Sequence, residues 1–213
     1  MKQPSEPKKP KKPKGPKDPN EPKKPKDSKE PNKPNKPTKA ELADAVHKTV
    51  SDLVRPGLRV LFCGINPGLY TAAIGHHFGR PGNRFWPALY GAGFTSRLLY
   101  PWEERELLDA GLGITNVVSR TTATAAELNA DDYAVGAKRL TATVQQYQPK
   151  VLAVLGVGAY RSAFARKTAM LGLQVETIGQ TNIWVMPNPS GLNANYQLAD
   201  LVRLFAELRA WVG

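Results

Sequence analysis

The sequence predicts an α/β fold: a three-layer α/β/α sandwich on a mostly parallel central sheet, preceded by a disordered N-terminal tail. Three observations lead there. Short apolar runs recur without polar alternation, as in strands buried on both faces. Segments with helical spacing separate them, as crossovers between parallel strands require. Charge and proline, by contrast, crowd into the first forty of the 213 residues.

Residues 1–40 hold 14 Lys, 5 acids and 11 of the 19 Pro, with no aromatic residue. Their net charge is 14 − 5 = +9, which leaves 12 − 9 = +3 for residues 41–213. Prolines fall at 4, 7, 10, 13, 16, 19, 22 and 25, then at 31, 34 and 37. A period of three matches polyproline II and bars helix, and almost nothing apolar is present to bury. This segment reads first as an extended, non-specific arm for phosphate backbones, with a solubilising extension that has no defined partner as the alternative.

The body, residues 41–213, follows in order. Leu42 to Leu53 reads as a short helix, stopped before Pro56–Gly57. The run from Leu58 to Ile65 is a buried strand that ends in a turn at Asn66–Pro67–Gly68. Further strands are expected at Ile114–Val118, Val151–Leu155, Gln174–Ile178 and Ile183–Met186. Helices are expected at Gly82–Tyr90, Glu103–Ala110, Asp131–Tyr147, Gly158–Lys167 and Tyr196–Trp211.

Composition excludes several classes. The single Cys63 rules out a disulfide framework, a Cys-rich zinc site and a four-Cys iron–sulfur cluster, and it suits a reducing compartment. No stretch approaches the roughly 20 apolar residues that span a bilayer. The charged N-terminus has no apolar segment behind it, so it does not read as a secretory signal. The expectation is a cytoplasmic protein associated with the bacterial nucleoid, without membrane contact.

In open parallel sheets, ligands bind beyond the carboxyl ends of the strands. Two loops lie there: Gly64–Ile65–Asn66–Pro67–Gly68 and Pro187–Asn188–Pro189–Ser190–Gly191–Leu192–Asn193. Both are stiffened by Pro, opened by Gly, and present Asn. Turn chemistry alone would choose the same residues, so spacing leaves a paired active site and two plain tight turns equally open.

These residues resemble a known family. GINPG at 64–68, the stretch from Phe78 through Pro81–Gly82–Asn83–Arg84–Phe85–Trp86, and NPSGLN at 188–193 are similar to the mismatch-specific uracil/thymine DNA glycosylases. These are one branch of the uracil-DNA glycosylase superfamily. The likeness runs from about Leu58 to the C-terminal helix and leaves the tail uncovered. It implies the same α/β/α fold. It also implies a monofunctional base-excision-repair enzyme that flips out uracil, thymine or a modified cytosine mispaired with guanine and hydrolyses its glycosidic bond.

By the same resemblance Asn66 holds the attacking water and Asn188 helps to order the site. Phe78 lies against the flipped base, with Ile65, main-chain groups and Asn116 around it. Gly191, Leu192 and Asn193 form a wedge in which Leu192 fills the gap left by the extruded nucleotide. The implied partner is double-stranded DNA with a G:U or G:T mismatch, bound by a monomer without cofactor or metal. Uracil-specific relatives carry an Asp in the first loop and a His in the second; here Asn66 and Ser190–Gly191–Leu192 stand instead. Ala194 stands where a basic residue often follows the wedge, so a broader enzyme acting also on U:A pairs and single strands stays open. A non-catalytic nucleic-acid-binding module is the rival from another class.

His76–His77 lack the third ligand of a metal site and read as a rim loop. Asp109 is a candidate carboxylate base. Gly156–Val157–Gly158 reads as tight strand–helix packing rather than a dinucleotide fingerprint. Arg80, Arg84 and Lys138 are candidate phosphate contacts, and Asn116 and Ser119 candidate determinants of base choice.

Overall fold

The computed structural model describes residues 33–213. The tail read over residues 1–40 lies outside the described residues as far as residue 32. Five strands form one sheet: β1 Val60–Gly64, β2 Leu112–Asn116, β3 Val151–Leu155, β4 Gly172–Ile178 and β5 Thr181–Met186, in the order β2-β1-β3-β5-β4. The pairs β1/β2, β1/β3 and β3/β5 are parallel, and β4 returns antiparallel along β5. Every residue of β1, β2 and β3 is buried. The unbroken apolar runs of β1 and β3 follow from this, because helices cover both faces, while β2 buries Thr115 and Asn116 at its end. The edge strand β4 alternates between half-buried and exposed positions and turns into β5 through Gly179, whose φ of +59° suits a two-residue hairpin.

The layers can be read from β1. Val60 and Phe62 point into one core with Phe85, Leu89, Leu201, Phe205 and Leu208. Leu61 and Cys63 point into the other with Leu140, Val144 and Tyr160. Helices α3 (Phe85–Gly91) and α7 (Leu198–Val212) therefore cover one face, and α5 (Ala130–Tyr147) and α6 (Val157–Phe164) the other. Phe62 meets the edges of Phe85 and Phe94 at 5.4 and 5.5 Å and stacks on Phe205 at 5.7 Å. Asn129 starts α5 with a capping box to Asp132. Gly136 sits where a Cβ would lie 2.4 Å from the Val117 carbonyl oxygen, so α5 packs directly on the end of β2.

Several elements differ from expectation. The first helix, α1, starts at Lys39, two residues inside the stretch read as tail. A capping box between Thr38 and Glu41 begins it there. It ends at Asp44, tightens into a 3-10 turn over Ala45–His47, and does not reach Leu53. Leu53 instead exchanges both backbone hydrogen bonds with Ile114, at 2.8 and 2.9 Å, so the chain is extended where helix was expected. The helix expected at 103–110 divides into a 3-10 turn at Pro101–Glu103 and a single turn, α4, at Glu106–Asp109. A short helix without a clear sequence signal, α2 (Leu69–Ile74), follows the first loop and stops at Gly75, whose φ is +73°. No described helix is long and apolar enough to cross a membrane.

Candidate active site

Beyond the carboxyl ends of β1, β2 and β3 lies a cavity of about 390 Å³. Ile65, Asn66, Phe78, Asn116, Asn188, Leu192 and Asn193 all line it, although they come from four separate stretches of chain. Gly191 does not line it. A Cβ there would lie 2.5 Å from the Gly82 carbonyl oxygen, so the second loop rests backbone to backbone on the turn before α3.

The Asn66 side chain is held by its nitrogen. Nδ2 donates to the Arg120 carbonyl at 3.0 Å, the Thr122 hydroxyl at 2.7 Å and the Pro67 carbonyl at 3.2 Å. Carbonyls only accept, so the amide has one orientation, with Oδ1 left to the cavity. The Thr122 amide donates back to the Pro67 carbonyl at 3.2 Å, locking the two loops together.

Phe78 stacks on Phe85 with ring centroids 4.1 Å apart, and its backbone sits at φ +51°. A non-glycine residue there is strained and must be held by its surroundings. Glu104, almost fully buried, supplies part of the hold. One carboxylate oxygen accepts from the His77 amide at 2.8 Å and the other pairs with His76 Nδ1 at 3.0 Å. Gly64 forms the floor, where a Cβ would lie 2.5 Å from Asn116 Oδ1 and 3.3 Å from the Phe78 ring. Behind the floor, Arg139 donates to the Asn116 carbonyl and, at 2.7 Å, to Asp52, which also accepts from the Thr115 hydroxyl at 2.7 Å.

Arg84 is not a surface cation waiting for phosphate. Its guanidinium donates to the carbonyls of Ser190, Asn193 and Tyr196 at 2.5, 2.7 and 2.6 Å, and its amide donates to Pro189 at 2.9 Å. It clamps the second loop. Within that loop Asn188 Oδ1 accepts from the Ser190 amide at 2.9 Å and Asn193 Nδ2 donates to the Asn188 carbonyl at 2.9 Å. Leu192 is left 73 % exposed, so it is not an anchor packed into the core.

The remaining candidates separate by position. Asp109 precedes β2, at the edge of the sheet opposite the cavity, and is exposed. Lys138 and Ser119 are exposed and do not line the cavity, whereas Arg80 is exposed on its rim. Gly156, with φ +150° and Ile65 pressed against it, is the turn from β3 into α6 that the packing reading expects. Among the described residues, no three His, Cys, Asp or Glu side chains converge as a metal ion would need. His77, read as part of a rim loop, is buried and lines the cavity, whereas Thr122, Glu104 and Arg139 carry no motif of their own. Only the folded chain brings them to the site.

The sequence model of the Uracil DNA glycosylase superfamily matches residues 51–210, which includes every cavity residue named above. The chain belongs to the uracil DNA glycosylase superfamily. It is thus a DNA glycosylase, and the cavity lies where a parallel sheet of this kind binds its ligand.

Two outcomes test how the glycosylase holds this site. Arg84→Ala should lower the unfolding free energy by about 2–4 kcal/mol, since charged donors to three carbonyls are lost. Hydrogen exchange should rise in residues 189–196; unchanged exchange there would remove the clamp. Burial makes His77 less basic than the ordinary histidine value of 6.5, with Glu104 and the Ser51 carbonyl partly opposing it. Below that pH the unfolded chain binds a proton that the folded chain does not, so stability is full above it and falls with decreasing pH. Urea titrations at pH 7.5 and 5.5 should show that loss, and His77→Asn should show less of it.

Proposed function

We propose that this glycosylase excises uracil, and more slowly thymine, mispaired with guanine in double-stranded DNA. The orientation of Asn66 carries the proposal. Its Nδ2 is spent on Arg120, Thr122 and Pro67, so Oδ1 is the atom that would accept a hydrogen bond from water. In the reaction the bond from the sugar C1′ to the base nitrogen breaks, and its electron pair leaves with the base. The water oxygen bonds to C1′ and its proton is released. An amide orients that water but does not take the proton at neutral pH, unlike a carboxylate. The rate then depends on how well the base leaves and on how easily it is extruded, which favours uracil and mispaired bases.

The rest of the reading assigns the flipped base to the cavity against Phe78, with Ile65 and Asn116 beside it and Asn188 ordering the loop. Leu192, exposed on a loop clamped by Arg84, would enter the stack, with Gly191 and Asn193 keeping its backbone close to the duplex. Arg80 on the rim and the lysines of the tail would meet phosphates.

Single-turnover excision on U·G, T·G, U·A and single-stranded U is the direct test. Activity should be highest on U·G. Asn66→Ala should lower it by about 10²-fold or more while duplex binding persists. Equal rates on U·A and single strands would keep the glycosylase and discard the mismatch preference, pointing to Ala194. No excision on any substrate would leave a binding module. Leu192→Ala should slow excision from duplex by about tenfold or more and spare single strands; the same loss on both would remove the wedge assignment. Deleting residues 1–33, which spares the Thr38–Glu41 cap, should weaken DNA affinity and flatten its dependence on salt. An unchanged salt slope would refute the role of the tail.

A further inference from the structure

We propose that Asp132, in the first turn of α5, is a positioning residue for Asn66 and acts on it through Arg120. The inference rests on the reading of Asn66 as the residue that orients the attacking water. Two of the three acceptors of Asn66 Nδ2, the Arg120 carbonyl and the Thr122 hydroxyl, lie on the segment that follows β2. Whatever fixes that segment therefore fixes the amide.

Main-chain bonds secure its two ends. The Val118 amide donates to the Ile65 carbonyl at 2.9 Å, and the Thr122 amide to the Pro67 carbonyl at 3.2 Å. Between them, residues 119–121 are held by side chains. The Thr121 hydroxyl donates to the Lys48 carbonyl at 2.6 Å. Arg120 gives its carbonyl to Asn66 and its guanidinium to Asp132. Nε donates to Asp132 Oδ1 at 3.0 Å and Nη2 to Oδ2 at 2.6 Å, a bidentate pair that fixes direction as well as distance. Nη2 also donates to the Glu127 carbonyl at 3.1 Å.

Asp132 is itself anchored. Its Oδ2 accepts from the Asn129 amide at 3.0 Å, and its own amide donates to Asn129 Oδ1 at 2.9 Å. It therefore moves with α5, and Arg120 is tied to that helix. The Arg120 hydrogen bond first, and the Asn129 amide second, hold its carboxyl down to about 2, so the pair is ionised at neutral pH. The side chains are 45 % and 16 % exposed, and a pair so open to water adds little to stability. What it supplies is position. A displacement of about 1 Å at a reacting group costs on the order of 10²-fold in rate. Loss of the pair should therefore appear in the chemical step rather than in folding or duplex binding.

The test is single-turnover excision of U opposite G by wild type, Asp132→Asn, Asp132→Glu and Asn129→Ala. Asp132→Asn cannot accept from both guanidinium nitrogens and should slow excision by about tenfold or more, with duplex affinity little changed. Glutamate keeps the carboxylate and should recover most of the rate. Asn129→Ala removes the other half of the same helix cap and should lower the Tm without slowing excision. In an Asn66→Ala background, adding Asp132→Asn should cost nothing further, because both act through one amide. An unchanged rate in Asp132→Asn would overturn the proposal, as would equal slowing in both backgrounds or by Asn129→Ala. If Asp132→Asn does not fold, Arg120→Met takes its place, since it breaks the pair and leaves the cap intact. A second readout needs no activity. The Asn66 side-chain NH₂ signal, identified by its loss in Asn66→Ala, should exchange with solvent on the order of tenfold faster in Asp132→Asn; unchanged exchange would overturn the proposal. Full excision by Asn66→Ala is a different failure, that of the water-orienting reading, and amide exchange then still decides whether Asp132 holds Asn66.

Discussion

The stack of Phe78 on Phe85 ties the cavity to the core. Phe85 is fully buried and meets Phe62, itself at the centre of the sheet, edge to face. Its ring is therefore fixed by the same packing that holds β1, α3 and α7 together. Phe78 lies on it at 4.1 Å in a backbone conformation that few non-glycine residues adopt, and Glu104 secures the two residues before it. The residue ahead of Phe85 is Arg84, which clamps the second loop. Two residues further back, Gly82 receives Gly191. One short segment at the start of α3 thus sets the cavity wall and the position of the exposed leucine.

Neutral side chains dominate the cavity. An asparagine amide has two faces of opposite character, so its use depends on which neighbours fix it. Asn66 is fixed by carbonyls and Asn188 by the amide of Ser190, while Asn116 lies 3.5 Å from the His77 ring on a main chain held by Arg139. Charged residues stand one step behind: Glu104, Arg139 with Asp52, and Arg84 orient the groups that face the cavity. Keeping the ions behind the wall avoids leaving an unpaired charge buried in the cavity.

The layer architecture was legible because it follows from local pattern. β1, β2 and β3 are buried on both faces, and the sequences of β1 and β3 show it as apolar runs with helical segments between the strands. In the N-terminal segment Leu42, Val46, Val50 and Leu53 keep a helical spacing, which points to helix as far as Leu53. The backbone of Leu53 pairs with Ile114, and that tertiary hydrogen bonding outweighs the periodicity. The role of Arg84 is hidden from the sequence for a similar reason. A cation beside a glycine-rich turn looks like a phosphate contact until the carbonyls it serves, more than a hundred residues away, are seen to surround it.

By itself, then, the sequence determined the fold class, the superfamily and the two loops that carry Asn66 and Leu192, since each rests on residues close together in the chain. Only the tertiary structure decided which atoms those residues present. Thr122 reaches Asn66 across 56 positions and His77 reaches Asn116 across 39, and neither pair has a spacing that could announce it. Hydrogen bonding is directional and short in range. The orientation of an amide is therefore set by contacts that exist only once distant segments have met.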